Sequence, residues 1–495
     1  MGLSVKNDDF TKADYQLFSG RVRENLAALK LLLNRPDFGL GPTSFGAELE
    51  MYIIDHDYRV APIYDYLLER CDDHQLQAEL NRFNIEYNLS VVQAQGSPFL
   101  AIEREIEKVI ARLNYHAADK GCRVLPIGIL PTLTETDISS EMISDLPRYH
   151  ALAQGLRQMR DGPFEIEIDG KNPLAFSTDD VALEGVNTSF QFHWRVAPSD
   201  FANLFNAVQL LTPLALAAGA NSPILLGHEL WDETRIAVFK QSIDYRDHDG
   251  ESWRRPARVS FGNGWVRQGA YETFAETAAL YPPLLPIVGD EDAVAVVANG
   301  GIPRLDELKL HHGTVWPWNR AVYDDAAGGH LRIEMRSLPA GPTAQDMTAN
   351  VALVVGAAQA LKARMPELLP LLPFNYASHN FYRAAQDGLN ANLIWPTFNQ
   401  TRLKEIPVSS AIMEMLPLAE EGLASLGVND QEIARTLGIM RKRIDSQTSG
   451  ARWQRRMLAR VAQNEGPQSA YHGMLENYLR EFSRGVDVAE WSDEI

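Results

Sequence analysis

The stretch His330-Leu331-Arg332-Ile333-Glu334-Met335-Arg336 alternates strictly between polar and apolar side chains. Because successive side chains of a strand point to opposite faces, this pattern predicts a strand with one apolar face. The opposite face would carry His330, Arg332, Glu334 and Arg336. A lone strand with a solvated outer face has the same pattern, so the interpretation depends on whether other strands repeat it.

Three further segments repeat this alternation, at residues 45–55, 82–90 and 186–196. Their predicted polar faces are Glu48, Glu50 and Tyr52; Arg82, Asn84, Glu86 and Asn88; and Ser189, Gln191, His193 and Arg195. Four such strands in one sheet would gather several carboxylates, an imidazole and several arginines over one surface.

This combination of side chains favours a particular kind of ligand. Clustered carboxylates repel each other, and a bound divalent cation relieves the repulsion. Oxygen ligands with an occasional imidazole favour Mg²⁺ or Mn²⁺ over zinc. Arginines bind phosphate or carboxylate groups through a planar fork of donors. The pattern therefore predicts a site for divalent cations and an anionic ligand.

Composition limits the function classes. The chain has 495 residues, a hydrophobic fraction of 45% and a net charge of −19. A strongly acidic protein lacks the basic surface that broad nucleic-acid binding requires. The two cysteines, Cys71 and Cys122, do not form a Cys-x-x-Cys motif. They are predicted to be reduced thiols in a cytosolic protein.

The sequence predicts neither a signal peptide nor a membrane span. The first ten residues contain no apolar segment of the kind that begins a secreted chain. The most apolar run, residues 210–226, is interrupted by Pro213, Gly219 and Pro223. We therefore expect a buried helix and turn there.

The order of predicted elements indicates an α+β protein with an antiparallel or mixed sheet and flanking helices. Helices are predicted at residues 15–34, 62–71, 99–118, 199–218, 343–363, 409–426, 429–445 and 470–484, and a short strand at 123–129. Ser199 is predicted to cap the fourth of these helices. Residues 130–187 are predicted to be mostly irregular, and residues 220–310 to be loops with short helices. Three units follow: an N-terminal helix and loop (1–43), an α+β body that contains the sheet (44–345) and a helical C-terminal region (346–495).

Several catalytic motifs are absent from the sequence. It contains no Gly-x-x-x-x-Gly-Lys-Ser/Thr phosphate loop and no Gly-x-Ser-x-Gly elbow. Gly39-Leu40-Gly41 precedes a strand, which is unlike a dinucleotide-binding motif. His228-Glu229 is followed by Asp232 where a zinc protease has its second histidine. If the protein uses ATP, metals and arginines must hold its phosphates.

The segment Phe45-Gly46-Ala47-Glu48-Leu49-Glu50 resembles the opening strand of the glutamate–cysteine ligase family, type 2, and of related carboxylate–amine ligases. Similar motifs follow in the family's order over residues 44–460. They are Glu79-Leu80-Asn81 through Asn88, Ser189 through His193, Ala220-Asn221-Ser222-Pro223, Leu230 through Arg235, His312 through Arg320, His330 through Thr343, Arg383 through Ala391, and Thr448-Ser449-Gly450-Ala451.

The resemblance implies a glutamine-synthetase-like fold and an ATP- and Mg²⁺- or Mn²⁺-dependent reaction. ATP would phosphorylate the side-chain carboxylate of an amino acid, typically glutamate, and an amine would then attack the acyl phosphate. By motif match, one metal would be held by Glu48, Glu334 and Gln191 or His193, and another by Glu50, Glu79 and Glu86. Arg332 and Arg336 would face the phosphates, Arg332 and His193 would contact the cofactor, and Arg235 would take the α-carboxylate of the amino acid.

Some of these assignments stay open at the level of sequence. The face of the third strand reads Gln191 then His193, so either side chain could be the metal ligand. Arg235 could equally pair with Asp232 or Glu233, and Glu79 could lie on an exposed turn. His311, His312, Trp316 and Trp318 are predicted to be structural.

The implied partners are small molecules: ATP, glutamate, and an amino acid or another amine. The sequence does not identify the amine, and it leaves open whether the chain forms a homo-oligomer. Three alternatives remain: a ligase with a different acceptor, a non-catalytic binding protein, and a metal-dependent hydrolase that does not use ATP. Dependence of turnover on ATP would separate them.

Overall fold

The computed structural model describes residues 10–160, 162–246, 256–397, 402–466 and 469–495. Its α-helices are α1 Lys12–Leu33, α2 Tyr64–Cys71, α3 Pro98–Ala117, α4 Pro147–Gln158, α5 Phe201–Gly219, α6 Arg235–Ser242, α7 Tyr271–Leu280, α8 Ala293–Ala298, α9 Asp306–Gly313, α10 Ala344–Leu361, α11 Met365–Leu368, α12 Phe374–Asp387, α13 Val408–Ser425, α14 Asp430–Ser446, α15 Gly450–Glu465 and α16 Ala470–Phe482. Its strands are β1 Ser44–Ile54, β2 Leu76–Ala78, β3 Asn84–Asn88, β4 Val92–Gln93, β5 Arg123–Leu125, β6 Phe164–Ile168, β7 Leu174–Thr178, β8 Phe190–Val196, β9 Ile224–Leu225, β10 His228–Glu229, β11 Val259–Ser260, β12 Trp316–Pro317, β13 Asn319–Asp324, β14 His330–Met335, β15 Asn392–Thr397 and β16 Arg402–Pro407.

One large sheet contains all four predicted strands, in the order β13-β14-β8-β1-β3-β2, with β4 and β5 also paired to β1. The described pairings within it are antiparallel. The register places Glu334 opposite His193, Glu48 opposite Gln191, and Glu50 opposite Glu86. The predicted α+β class with an antiparallel sheet is confirmed.

The apolar face of this sheet forms a large part of the core. Leu331, Ile333 and Met335 are buried, as the alternation predicts. Phe45 stacks on Phe99 of α3, with ring centroids 5.8 Å apart. Because the helices cover this face, the polar face is the one left for ligands.

The most apolar predicted helix is α5, which is long and apolar enough to cross a membrane but has 89% of its apolar window buried inside the protein. It is therefore a core helix, as predicted.

The predicted cap at Ser199 is wrong. Asp200 occupies the position before the helix in a helical conformation, and its side chain makes no capping bond. Its carboxylate instead pairs with Lys362 at 2.7 Å.

The prediction that residues 130–187 are mostly irregular is also wrong. They include α4 and a hairpin formed by β6 and β7. Pro147 at the start of α4 has a backbone angle suited to a first helical turn. Phe164, Ile166 and Ile168 of β6 alternate with glutamates and are buried, so the signal was present in the sequence.

Elsewhere the predicted helices are confirmed, with ends that differ by a few residues. The segment predicted as loops with short helices, residues 220–310, contains α6, α7, α8 and the start of α9. Residues 247–255 of this segment lie outside the described part of the chain. The predicted strand at 123–129 is shorter, ending at Leu125. Helices α12 and α15 and the hairpin of β15 and β16 were not predicted. The boundary near 343–350 stays a prediction.

Candidate active site

Three strands bring Glu48, His193 and Glu334 together at the centre of the polar face. The Nε2 atom of His193 lies 3.0 Å from Glu48 Oε1 and 3.8 Å from Glu334 Oε1. One ligand atom from each residue lies within 4.8 Å of the others. We call these residues the histidine cluster.

Two arginines hold Glu334 in place. Arg320 on β13 donates to both carboxylate oxygens, at 2.5 and 3.0 Å, and Arg336 donates to Oε1 at 3.0 Å. Burial would raise the pKa of Glu334, but the charges of Arg320 and Arg336 outweigh it and hold that pKa well below its usual range. Glu334 is therefore ionised and ready to bind a cation. Sequence analysis gave Arg320 no role, because its effect depends on pairing with the neighbouring strand.

A second group, the glutamate cluster, consists of Glu50, Glu79 and Glu86, again with ligand atoms within 4.8 Å of one another. Glu50 accepts hydrogen bonds from the Ser189 backbone N–H at 2.7 Å and from Gln191 Nε2 at 2.8 Å. Burial, together with the negative charge of Glu79, raises the pKa of Glu50 to about 7. Burial also raises the pKa values of Glu79 and Glu86.

Gln191 and His193 occupy different positions in the site. His193 belongs to the histidine cluster, whereas Gln191 lies between Glu50 and Arg336 and hydrogen-bonds to both. In this geometry His193 is the residue placed to share a cation with Glu48 and Glu334. The metal-binding roles of all these residues remain predictions.

The two clusters fit divalent cations on their chemistry. Their donors are five carboxylates and one imidazole, a set that suits Mg²⁺ or Mn²⁺. The charges of Arg235 and Arg336 on Glu50, and of Arg148 on Glu79, offset only part of the effect of burial and mutual repulsion on the second cluster. A cation would lower the repulsion that contributes to the raised pKa values. We take the residues present to fit two metal ions.

We expect Mg²⁺ to stabilise the protein more at high pH than at low pH. Without metal, the raised pKa values of Glu50, Glu79 and Glu86 mean that the folded protein holds protons the unfolded chain has lost. The contribution of Glu50 is complete below the unfolded pKa of about 4.3 and is lost as pH rises through about 7. The contributions of Glu79 and Glu86 are lost as pH rises through their own raised pKa values. The Tm of EDTA-treated protein should therefore fall between about pH 5 and pH 8, and Mg²⁺ should restore it at the upper end. If Mg²⁺ raised the Tm by the same amount at the lower and at the upper end of this pH range, the prediction would be wrong.

At one end of the polar face, Arg332 of β14 lies directly opposite Arg195 of β8. Arg332 pairs with Asp324 at 2.7 Å, and Arg195 donates to the Leu40 carbonyl at 2.9 Å. The Nε atoms of both arginines are buried without a hydrogen-bond partner among the described residues. Like charges opposed across strands are destabilising unless an anion lies between them. This end of the face suits phosphate groups.

Arg235, predicted to bind an α-carboxylate, is 3% exposed. Its NH1 atom donates to Glu233 at 3.0 Å and to the Ser337 carbonyl at 3.1 Å. The pairing with Glu233 that sequence analysis left open is therefore present, while Asp232 pairs with Arg455. The Nε atom of Arg235 has no partner among the described residues. Its substrate-binding role stays a prediction.

A buried polar network links the helical C-terminal region to Arg235. Gln454 of α15 donates to the Asn221 backbone and side-chain oxygens at 3.2 and 2.8 Å. The Asn221 backbone N–H donates to Glu233 at 2.9 Å, and the Asn221 side chain donates to the Ala340 carbonyl at 2.9 Å. Through Asn221, these hydrogen bonds connect the helical C-terminal region to the backbone at Ala340, which follows Arg336 in the chain.

Gly450 allows this close approach. A Cβ atom there would overlap the Asn221 side chain, whereas a Cβ at Gly438 of α14 would meet nothing within 4 Å. We expect Gly450→Ala to lower the free energy of unfolding by about 1–3 kcal/mol. The control Gly438→Ala should raise it by about 0.5–1 kcal/mol, because alanine is the better helix former. Urea unfolding measures both, and equal effects would contradict the assigned packing.

Sequence analysis missed Arg148, Tyr149 and Glu184, all within the segment predicted to be irregular. Arg148 donates to the Ala78 carbonyl at 2.8 Å, and its charge acts on Glu79. Burial and the charges of Glu79 and Glu50 raise the pKa of Glu184 to about 8. These residues flank the glutamate cluster, and no local pattern marks them.

The structure also shows where two further residues of the predicted polar faces lie. Tyr52 is fully buried and hydrogen-bonds to the Val186 carbonyl, and Arg82 precedes β3.

His312, predicted to be structural, is held by Thr277 and by the Ala321 carbonyl, at 2.8 and 2.9 Å. Burial lowers its pKa to about 3. Trp318 lies in the core against Phe239 and Phe381.

Solved structures to which this chain is similar include the glutamate–cysteine ligase of Francisella tularensis in complex with AMP, which is 12% identical with a TM-score of 0.49 and 91% coverage of both chains. A bifunctional glutathione synthetase from Pasteurella multocida is 11% identical with a TM-score of 0.46, covering 94% of this chain and 55% of the other. The Pup ligase PafA, in complex with the prokaryotic ubiquitin-like protein Pup, is 11% identical with a TM-score of 0.38, covering 88% and 74%.

A comparison with curated proteins finds no match. The model of glutamate-cysteine ligase family 2 matches residues 44–479, which include the large sheet and most of the helical C-terminal region. The chain therefore belongs to glutamate-cysteine ligase family 2, a family of ATP-dependent carboxylate–amine ligases.

Proposed function

We propose that this protein joins the side-chain carboxylate of glutamate to an amine, using ATP and Mg²⁺ or Mn²⁺. The observation that carries the proposal is the polar sheet face, on which two ligand clusters lie beside Arg336 and the Arg195–Arg332 pair. Transfer of a phosphoryl group to a carboxylate brings two anions together. It therefore needs cations and arginines around the transferring group.

Each part of the face has a role in this proposal. The histidine cluster and the glutamate cluster hold the divalent cations, which neutralise phosphate charge when bound. Arg332 and His193 contact the nucleotide, and Arg336 balances charge on the moving phosphoryl group. Arg235 receives the α-carboxylate of glutamate through its Nε side, which has no hydrogen-bond partner among the described residues. Location in the cytoplasm remains part of the proposal.

The chemistry proceeds in two steps. A carboxylate oxygen of glutamate attacks the γ-phosphorus of ATP, the bond to the β-phosphate oxygen breaks, and ADP leaves. The amine nitrogen then attacks the carbonyl carbon, the carbon–oxygen bond to phosphate breaks with its electron pair, and phosphate leaves. The ammonium form of the amine gives up two protons overall, one of which phosphate carries away. Phosphorylation is needed because a carboxylate repels nucleophiles and hydroxide is a poor leaving group.

The two steps make a testable prediction about oxygen transfer. With ¹⁸O in the side-chain carboxylate of glutamate, one ¹⁸O should appear in the released phosphate for each amide formed. EDTA should abolish the release of both ADP and labelled phosphate. Unlabelled phosphate alongside amide formation would rule out the acyl-phosphate route. ADP release without any amide, across a panel of amines, would show that ATP is hydrolysed without ligation and would contradict the proposed function.

A further inference from the structure

Asn221 is fully buried and hydrogen-bonds both to two helices of the C-terminal region and to the segment that precedes Arg235. Its partners in those helices are Gln454 of α15 and Tyr478 of α16. We propose that Asn221, Gln454 and Tyr478 position Arg235 and thereby set the affinity of the protein for the α-carboxylate of its amino-acid substrate. This inference rests on the proposed function, in which Arg235 receives that group.

Asn221 and Ser222 run alongside the segment that precedes Arg235. Ser222 forms a parallel β-bridge with Glu233, and the Thr234 N–H donates to the Ser222 carbonyl at 3.1 Å. One oxygen of the Glu233 carboxylate accepts a hydrogen bond from the Asn221 N–H at 2.9 Å. The other accepts from the Ser222 hydroxyl at 2.8 Å and from Arg235 NH1 at 3.0 Å. Glu233 therefore links the backbone of Asn221 to the guanidinium of Arg235.

This part of the core is closely packed. A Cβ atom at Gly128 would lie 3.0 Å from the Asn221 carbonyl oxygen and 3.2 Å from Arg235 Cδ, so both residues pack against the same glycine. Burial raises the pKa of Glu233, and the charge of Arg235 and the hydrogen bond from Asn221 offset part of that rise. Because dense interiors transmit small shifts, a displacement of Asn221 would reach the guanidinium of Arg235.

Gln454 and Tyr478 hold Asn221 in place. The amide nitrogen of Gln454 donates to the backbone and side-chain oxygens of Asn221, at 3.2 and 2.8 Å. The Asn221 amide donates to the Tyr478 hydroxyl at 3.1 Å, and that hydroxyl donates to the Pro126 carbonyl at 3.1 Å. Since Gln454 and Tyr478 are fully buried, water does not replace either hydrogen bond when it is removed.

The test separates the positioning of Arg235 from a contribution to stability alone. Hydroxylamine serves as the acceptor: its nitrogen attacks the acyl phosphate, phosphate leaves, and the product is a γ-glutamyl hydroxamate. Initial rates are measured with Mg²⁺ while glutamate and ATP are varied in turn. We expect Tyr478→Phe, which removes one oxygen atom, to raise KM for glutamate about three- to tenfold and to leave kcat and KM for ATP within about twofold.

Tyr323→Phe is the matched control. Tyr323 is also buried, and its hydroxyl donates to a backbone carbonyl, that of Pro303, at 2.6 Å. It lies opposite Leu331 on the apolar face of the sheet. This variant should lower the Tm about as much as Tyr478→Phe does, with kcat and both KM values unchanged. If it raises KM for glutamate as much as Tyr478→Phe, the effect is one of general stability and the inference is wrong.

A second variant tests whether the effect passes through Arg235. Gln454→Met keeps the length of the side chain and removes its donor, so KM for glutamate should rise about tenfold. In an Arg235→Lys background the carboxylate contact is already altered, and the same change should raise KM by less than about threefold. Where turnover of a variant is too slow, calorimetry gives Kd for glutamate instead. Equal factors in the two backgrounds would show that Gln454 acts independently of Arg235 and would overturn the inference.

The outcomes distinguish the inference from the proposed function. If the wild-type protein forms no γ-glutamyl hydroxamate, the proposed function fails and this inference fails with it. If the wild-type protein is active, but Tyr478→Phe and Gln454→Met leave KM for glutamate unchanged, only this inference fails.

Discussion

Glu48→Gln should lower kcat by on the order of 10²–10³-fold while the protein stays folded. The change removes one negative charge from the histidine cluster and very little volume. The Glu48 side chain is 27% exposed, so water can solvate the new amide. Turnover is measured at saturating Mg²⁺, and Tm reports the folded state. Near wild-type activity would show that the histidine cluster is not the catalytic metal site.

Glu334→Gln tests the same cluster but should behave differently. Its side chain is 1% exposed and pairs with both Arg320 and Arg336. Removing its charge leaves two partly buried guanidinium groups without their carboxylate partner, and breaking such a pair costs up to about 3–5 kcal/mol when it is fully buried. We therefore expect both activity and stability to fall, and the comparison with Glu48→Gln separates the two effects.

Arg336→Lys should lower kcat by about 10²-fold with a smaller change in KM for ATP. The NH1 atom of Arg336 reaches both Glu334 and Gln191, and its Nε is buried without a partner among the described residues. A lysine keeps the charge but loses the planar fork that can bind a moving phosphoryl group in two places. An interaction made mainly in the transition state appears in kcat more than in KM.

A matched control for this variant is Arg456→Lys on α15. Arg456 also pairs with a carboxylate, Asp493 at 3.0 Å, but it lies in the helical C-terminal region. Steady-state kinetics with varied ATP and glutamate should show wild-type parameters for the control. If Arg336→Lys raises KM for ATP strongly and leaves kcat intact, Arg336 binds the ground state of ATP and does not stabilise phosphoryl transfer.

The polar and apolar faces of the sheet could be predicted from the sequence because the two-residue alternation of a strand is a local property. Each of the four segments shows it within seven to eleven residues. The acidic residues of both clusters were named from that pattern and from motif resemblance. The helices could be predicted for a similar reason, since their periodicity also lies within one segment of the chain.

The tertiary structure alone decided which of these residues meet. Glu48, His193 and Glu334 are separated by more than a hundred residues along the chain, and only strand order and register place them together. The same pairing separates the position of His193 from that of Gln191 and brings Arg320 to Glu334. The hydrogen bonds of Gln454 and Tyr478 with Asn221 depend on how α15 and α16 pack against a segment more than two hundred residues earlier in the chain. Such contacts result from long-range pairing and packing, which local sequence periods do not encode.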